Sequence, residues 1–132
     1  MSFKGSCLCG AVHYEVDKLE IPIVHCHCRT CRKAHASAYA TTAGVMRDHF
    51  RWITGEENLG VFESSPGKIR RFCSKCGTQL IAERATHPHV ILRVPSLDDD
   101  PGNRPSMHIW TSHDAAWLMG DDNIPRSVEW PP

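Results

Sequence analysis

Apolar and polar positions alternate over short stretches of this chain and seldom follow a helical period. Val12, Tyr14 and Val16 alternate with His13 and Glu15, the pattern of a strand with one buried face. Residues 21–24 form a short extended apolar run, and Pro22 places that run at a sheet edge or a strand start. Further short strands are predicted over residues 38–42, 50–53, 61–63, 69–72, 79–82, 90–94 and 107–110. One short helical segment is predicted over residues 30–36. The acidic run from Asp98 to Asn103 reads as a loop on composition, and the tail to Pro132 reads as irregular. No apolar stripe at helical spacing extends beyond about two turns, and no repeat of ~20–50 residues is present. The predicted class is mainly β.

A chain of 132 residues is the size of one domain, taken here as residues 1–132. Its 41% apolar content supports one modest core. Fifteen Lys and Arg balance fifteen Asp and Glu, which argues against a dedicated nucleic-acid binder, since that function needs a basic excess. No run of ~18 apolar residues is available to span a membrane. Met1-Ser2-Phe3-Lys4-Gly5 leads into Cys7 without an apolar leader segment, so the expected compartment is the cytoplasm.

The seven cysteines change the picture most. They are Cys7, Cys9, Cys26, Cys28, Cys31, Cys73 and Cys76. An odd number leaves one thiol over in any fully paired disulfide framework, and cytoplasmic thiols stay reduced. The cysteines fall in three tight groups, whose neighbours seldom pair with each other as disulfides but suit a tetrahedral metal. Gly10 and Gly77 follow two of the groups and let the backbone turn with positive φ. Cys7, Cys9, Cys73 and Cys76 together supply four sulfurs, a full set for a closed structural zinc. One such ion would tie the first strand to the second half of the chain. The alternative is that the two groups hold separate ions or none.

Cys26, Cys28 and Cys31 supply three sulfurs, the ligand number of a catalytic zinc with an open fourth position. Soft thiolate ligands make such a site a better host for another thiolate than a generator of hydroxide. Arg29, Arg32 and Lys33 flank the group and could offset its negative charge or sit in a solvated turn. His25, His27 and especially His35, at a C-x3-H spacing from Cys31, are rival fourth ligands that would close the site. A deaminase reading of His13-Tyr14-Glu15 with Cys73 and Cys76 fails, because Phe72 stands where that signature needs proline and five cysteines are left without work. An all-thiolate tetrahedron also accepts iron.

Three runs carry a family resemblance: Gly5 to Glu15, His25 to Lys33, and Arg71 to Leu80. With Ser96-Leu97-Asp98-Asp99 and the stretch from Pro105 through Trp110 to Trp117, the chain resembles the glutathione-dependent formaldehyde-activating enzyme (GFA) family, also called the centromere-protein-V/GFA domain. The resemblance implies a mainly β, tent-like fold similar to the Mss4 superfamily, with short antiparallel sheets stapled by zinc. It implies two zinc ions, one structural on Cys7, Cys9, Cys73 and Cys76 and one catalytic on Cys26, Cys28 and Cys31. The implied activity is that of a carbon–sulfur lyase making or breaking S-(hydroxymethyl)glutathione, with a thiol such as glutathione and an aldehyde as partners. Where the family carries glycine after the middle group this chain has Ala36, a small change in helical backbone and a costly one at positive φ. A rival of another class is a non-catalytic zinc module that binds a protein or nucleic acid. Trp52, Trp110 and Trp117 read as core or pocket residues more simply than as its interaction surface.

Overall fold

The structure is a computed structural model that describes residues 2–131. Ten strands follow one another: β1 (Phe3–Ser6), β2 (His13–Val16), β3 (Ile21–Cys26), β4 (Ala40–Met46), β5 (Phe50–Thr54), β6 (Leu59–Ser65), β7 (Lys68–Cys73), β8 (Gln79–Arg84), β9 (His89–Arg93) and β10 (Met107–Ile109). A single α-helix, α1 (Arg29–His35), stands between β3 and β4, and short 3-10 turns make up the other helical pieces among the described residues. No helix is long and apolar enough to cross a membrane. The mainly β expectation holds.

The strands form two sheets. One has the order β1-β2-β5; the other has seven strands in the order β10-β3-β4-β9-β8-β7-β6. All pairings are antiparallel except that of β10 with β3. Side chains alternate along each strand, so each sheet turns one set inward. Val12, Tyr14 and Val16 meet Ala43, Val45, Leu80, Ile81, Val90 and Leu92 in one buried cluster between the sheets. The opposite face of the large sheet carries Cys26 on β3, Thr42 and Gly44 on β4, Ile91 and Arg93 on β9 and Lys68 on β7, which line one cavity together. Arg70 follows at the next same-face position of β7, and α1 packs over this face through Cys31.

Several elements depart from the sequence expectations. β1 was not predicted, because Lys4-Gly5-Ser6 lacks an apolar alternation. It forms because Gly5 lies against the Tyr14 ring, where a Cβ would stand 2.1 Å from Cζ. Pro22 sits inside β3, but β10 pairs only from Val24 onward and the β4 pairing has a bulge between Ile21 and Val24, so no ladder bond is lost. The last strand stops at Ile109, one residue short, because Trp110 adopts a left-handed conformation with φ 59° and opens a turn.

Candidate metal centres

Two groups of cysteines converge. In the first, the Sγ atoms of Cys7, Cys9, Cys73 and Cys76 lie within 4.8 Å of one another. Cys7 and Cys9 are 3.6 Å apart at sulfur, and Cys9 and Cys73 are 3.8 Å apart. A tetrahedron with metal–sulfur bonds of ~2.3 Å separates its sulfurs by about 3.8 Å, so this donor set fits zinc. The turns that build it satisfy their own backbone: the Val12 N–H donates to Cys7 Sγ at 3.3 Å and the Gly77 N–H to the Cys73 carbonyl at 2.8 Å. Gly10 and Gly77 take φ of 80° and 81°, as their positions after the two knuckles require. The Thr78 hydroxyl, 3.2 Å from Cys76 Sγ, helps to lower the Cys76 thiol to about 5.

The second group is Cys26, Cys28 and Cys31, whose Sγ atoms also lie within 4.8 Å of one another. Cys26 ends β3, Cys28 caps α1 by accepting the Cys31 N–H at 3.3 Å, and Cys31 is the buried residue of the helix. Among the described residues no fourth Cys, His, Asp or Glu donor joins the group. His35 therefore does not complete it. The residue is half-buried, its Nε2 is sealed from solvent with no hydrogen-bond partner, and desolvation holds the ring down to about 4, so it is neutral at pH 7. His27 is engaged elsewhere, bonding through Nδ1 to Asp114 and through Nε2 to His108 Nδ1 at 2.7 Å. His25 pairs with Thr41 Oγ1 at 2.9 Å, on the sheet face away from Cys26.

The charge around the second group does not come from its sequence neighbours. Arg32 bonds to the carbonyls of His27 and His113, and Arg29 and Lys33 are exposed. The cations come instead from strands distant in sequence. Arg70 Nη2 stands 4.0 Å from Cys31 Sγ, and Arg93 and Lys68 act on the same thiols. The neighbouring Cys26 and Cys28 thiols, with the Arg93 and Arg70 guanidiniums, hold Cys31 down to about 4. Burial lowers Arg93 to about 10. A cavity of about 390 Å³ opens onto the three cysteines, with Lys68, His89, Ile91, Arg93, Ile109 and Trp110 among its walls.

The model of the glutathione-dependent formaldehyde-activating enzyme family matches residues 2–113. The chain belongs to this family. It is 33% identical over 78 residues to an uncharacterized lyase of Schizosaccharomyces pombe, a match covering 59% of this chain and 55% of that protein. The chain thus spans about half the length of that relative. A protein of Halomonas elongata with the provisional name of glutathione-dependent formaldehyde-activating enzyme is 29% identical over 128 residues, covering 89% of this chain and 80% of that one. The crystal structure of a Rhodobacter sphaeroides protein superposes with a TM-score of 0.63 at 29% identity, over 77% of this chain and 97% of the other.

Within the family's matched span, the structure adds what sequence reading missed: Lys68, Arg70 and Arg93. The alternation Lys68-Ile69-Arg70-Arg71-Phe72 puts the first two on one strand face, but only the folded sheet brings that face to the cysteines. His108, His113 and Asp114 were also given no role, while Trp110, read as a core or pocket residue, does line the cysteine cavity. Segment 108–114 is tied to the cysteine loop by the His27 bonds to His108 and Asp114 and by Arg32 to the His113 carbonyl at 2.8 Å. Of the tryptophans, Trp52 packs on the core, Trp110 is 57% exposed beside the cysteine cavity, and Trp117 is 70% exposed near the end of α1.

Proposed function

We propose that the protein is a carbon–sulfur lyase that makes or breaks a thiol–aldehyde adduct of the S-(hydroxymethyl)glutathione type. In this reading Cys7, Cys9, Cys73 and Cys76 hold a structural zinc, and Cys26, Cys28 and Cys31 hold a catalytic one. The observation that carries it is the unequal donor count: four cysteines in one group, three in the other, with the smaller group opening on a cavity. The second zinc, when bound, supplies a soft position that accepts a thiol and keeps it as a thiolate. The family membership and the relatives' names support the substrate class.

The chain's own contribution is electrostatic and positional. Arg70, Arg93 and Lys68 face the thiols and favour an anionic sulfur at this spot over a neutral one. The cavity walls, Ile91, Ile109 and Trp110, hold the carbonyl carbon near that sulfur. In the forward direction a carbon–sulfur bond forms and the carbon–oxygen double bond becomes single. The proton lost from sulfur ends on that oxygen, with no change of redox state. Thiol addition to an aldehyde is already rapid in water, so holding the partners together supplies most of the acceleration.

The test is Cys28→Ser. It is expected to keep one zinc per chain and to lose adduct turnover by at least about a hundredfold. Turnover equal to the parent contradicts the assignment.

A further inference from the structure

A second cavity, of about 420 Å³, is walled by α1 and by strands β6, β7 and β8, and no cysteine lines it. Its volume is that of a small-molecule site. Arg70 and Phe72 stand two residues apart on β7, so both turn to one face of the sheet. Phe62 of β6 is paired with Arg70, and Gln79 of β8 is paired with Phe72, which brings all four side chains to the face that α1 covers. Gly60 seats the Phe72 ring, since a Cβ there would stand 2.5 Å from Cε2. Phe62 is 62% exposed, an aromatic side chain left open at the cavity wall.

Four of the seven buried side-chain polar atoms that lack a hydrogen-bond partner among the described residues belong to the walls of this cavity. They are Nε and Nη1 of Arg70, Ser64 Oγ and Gln79 Oε1. Arg70 is 2% exposed, and Nη2 is the one nitrogen of its guanidinium with a polar neighbour, Cys31. A buried guanidinium with open N–H groups is costly, so the fold retains it where an acceptor arrives from outside the chain. Lys33 of α1 is a further donor, and neither Asp nor Glu lines the cavity. Because Lys33 is exposed and hydrated, the charge to be matched is the single buried guanidinium, which calls for a monoanion. From these donors and walls we infer a binding site for a small carboxylic acid with a flat apolar body, distinct from the cysteine cavity. Its carboxylate accepts from Arg70 and Ser64, and its body packs against Phe62 and Phe72. None of the cysteines takes part in this site.

The experiment uses the full chain loaded with zinc. Phenylacetate, phenylacetamide and acetate are titrated into it by calorimetry, with and without excess glutathione. Phenylacetate is expected to bind at least about tenfold more tightly than the amide, which lacks the charge, or acetate, which lacks the ring. Glutathione is expected to leave that affinity within about twofold. The NMR signals of the Lys33, Phe62 and Ser64 amides and of Arg70 Nε should shift on binding. Phe62→Ala is expected to weaken phenylacetate by about five- to tenfold and to leave acetate unchanged. Arg70→Met is expected to erase the preference for the acid over the amide, with circular dichroism and zinc content establishing that the variant is folded and loaded. Phe62→Ala, at an exposed position, carries the test should Arg70→Met fail to fold. Acid and amide binding equally well to the parent overturns the inference. So does an unchanged phenylacetate affinity in Phe62→Ala, or a set of NMR shifts that misses these four residues. Displacement of phenylacetate by glutathione also overturns it, because the site then belongs to the thiol cavity.

Discussion

Ala36 occupies a position built for glycine, and replacing it with glycine is expected to stabilise the protein. The residue ends α1 with φ 49° and ψ 46°. Its N–H donates to the Lys33 carbonyl at 3.3 Å, and the Ser37 N–H donates to the Arg32 carbonyl at 3.2 Å. This pair of bonds is the Schellman termination, whose left-handed residue is most often glycine. A Cβ in that conformation crowds the following carbonyl oxygen at a cost of about 1–2 kcal/mol. Glycine also loosens the unfolded chain, which takes back about 0.4–1 kcal/mol. The net expectation for Ala36→Gly is a gain of about 0.5–1 kcal/mol, or about 2–5 °C in Tm for a chain this long. Urea and thermal unfolding at fixed excess zinc measure it, with Ala34→Gly as the internal comparison. Ala34 lies within α1, so glycine there costs about 0.5–1 kcal/mol. If both glycine variants lose stability to a similar degree, the left-handed strain at residue 36 is not real. Relief of strain here bears on the site, because the same short helix carries Cys31 and is capped by Cys28.

Gly5→Ala pushes a methyl group to 2.1 Å from Tyr14 Cζ, against a ring that is 1% exposed, and is expected to cost about 2–3 kcal/mol in urea unfolding. Tyr14→Phe removes the hydroxyl that lies 2.6 Å from Ser96 Oγ, at a cost of about 1–2 kcal/mol near pH 8. Burial pushes the Tyr14 phenol well above its ordinary value, so the folded state keeps a proton that the unfolded chain releases near pH ~10. The parent's stability from this group is therefore full below pH ~10 and declines as the pH rises further. The Phe variant's deficit should shrink between pH 8 and pH 10.5, and a constant deficit contradicts the burial argument. Asp114→Ala removes the partner of His27 and is expected to speed amide exchange across residues 110–114 roughly tenfold, with global stability little changed.

Much of the fold was legible because it rests on short-range pattern. The alternation around Tyr14, the cysteine spacings and the glycines after two knuckles all act within a few residues, and the structure places each as expected. What was not legible depends on long-range approach. β1 carries no apolar signal and exists because Gly5 admits the Tyr14 ring. The cations that face the cysteines sit on β7 and β9, about forty and sixty residues beyond Cys31, and nothing local marks Arg70 or Arg93 as buried. Spacing suggested His35 as a rival ligand, but among the described residues its ring does not join the group of three sulfurs. A helical interval constrains where a side chain can reach without fixing what it meets. Of the two readings open for Arg29, Arg32 and Lys33, the solvated turn holds: Cys31 is the buried residue of the helix, Arg29 and Lys33 are exposed, and Arg32 bonds to backbone carbonyls.

The most direct measurement is X-ray absorption at the zinc edge of the fully loaded protein, before and after glutathione is added. Without thiol, the account predicts seven sulfur neighbours shared by two ions, with a light exchangeable atom filling out the second shell. With thiol, the count should rise to eight and the light scatterer should vanish. A spectrum that shows imidazole on either ion, or one that glutathione leaves unchanged, contradicts the account.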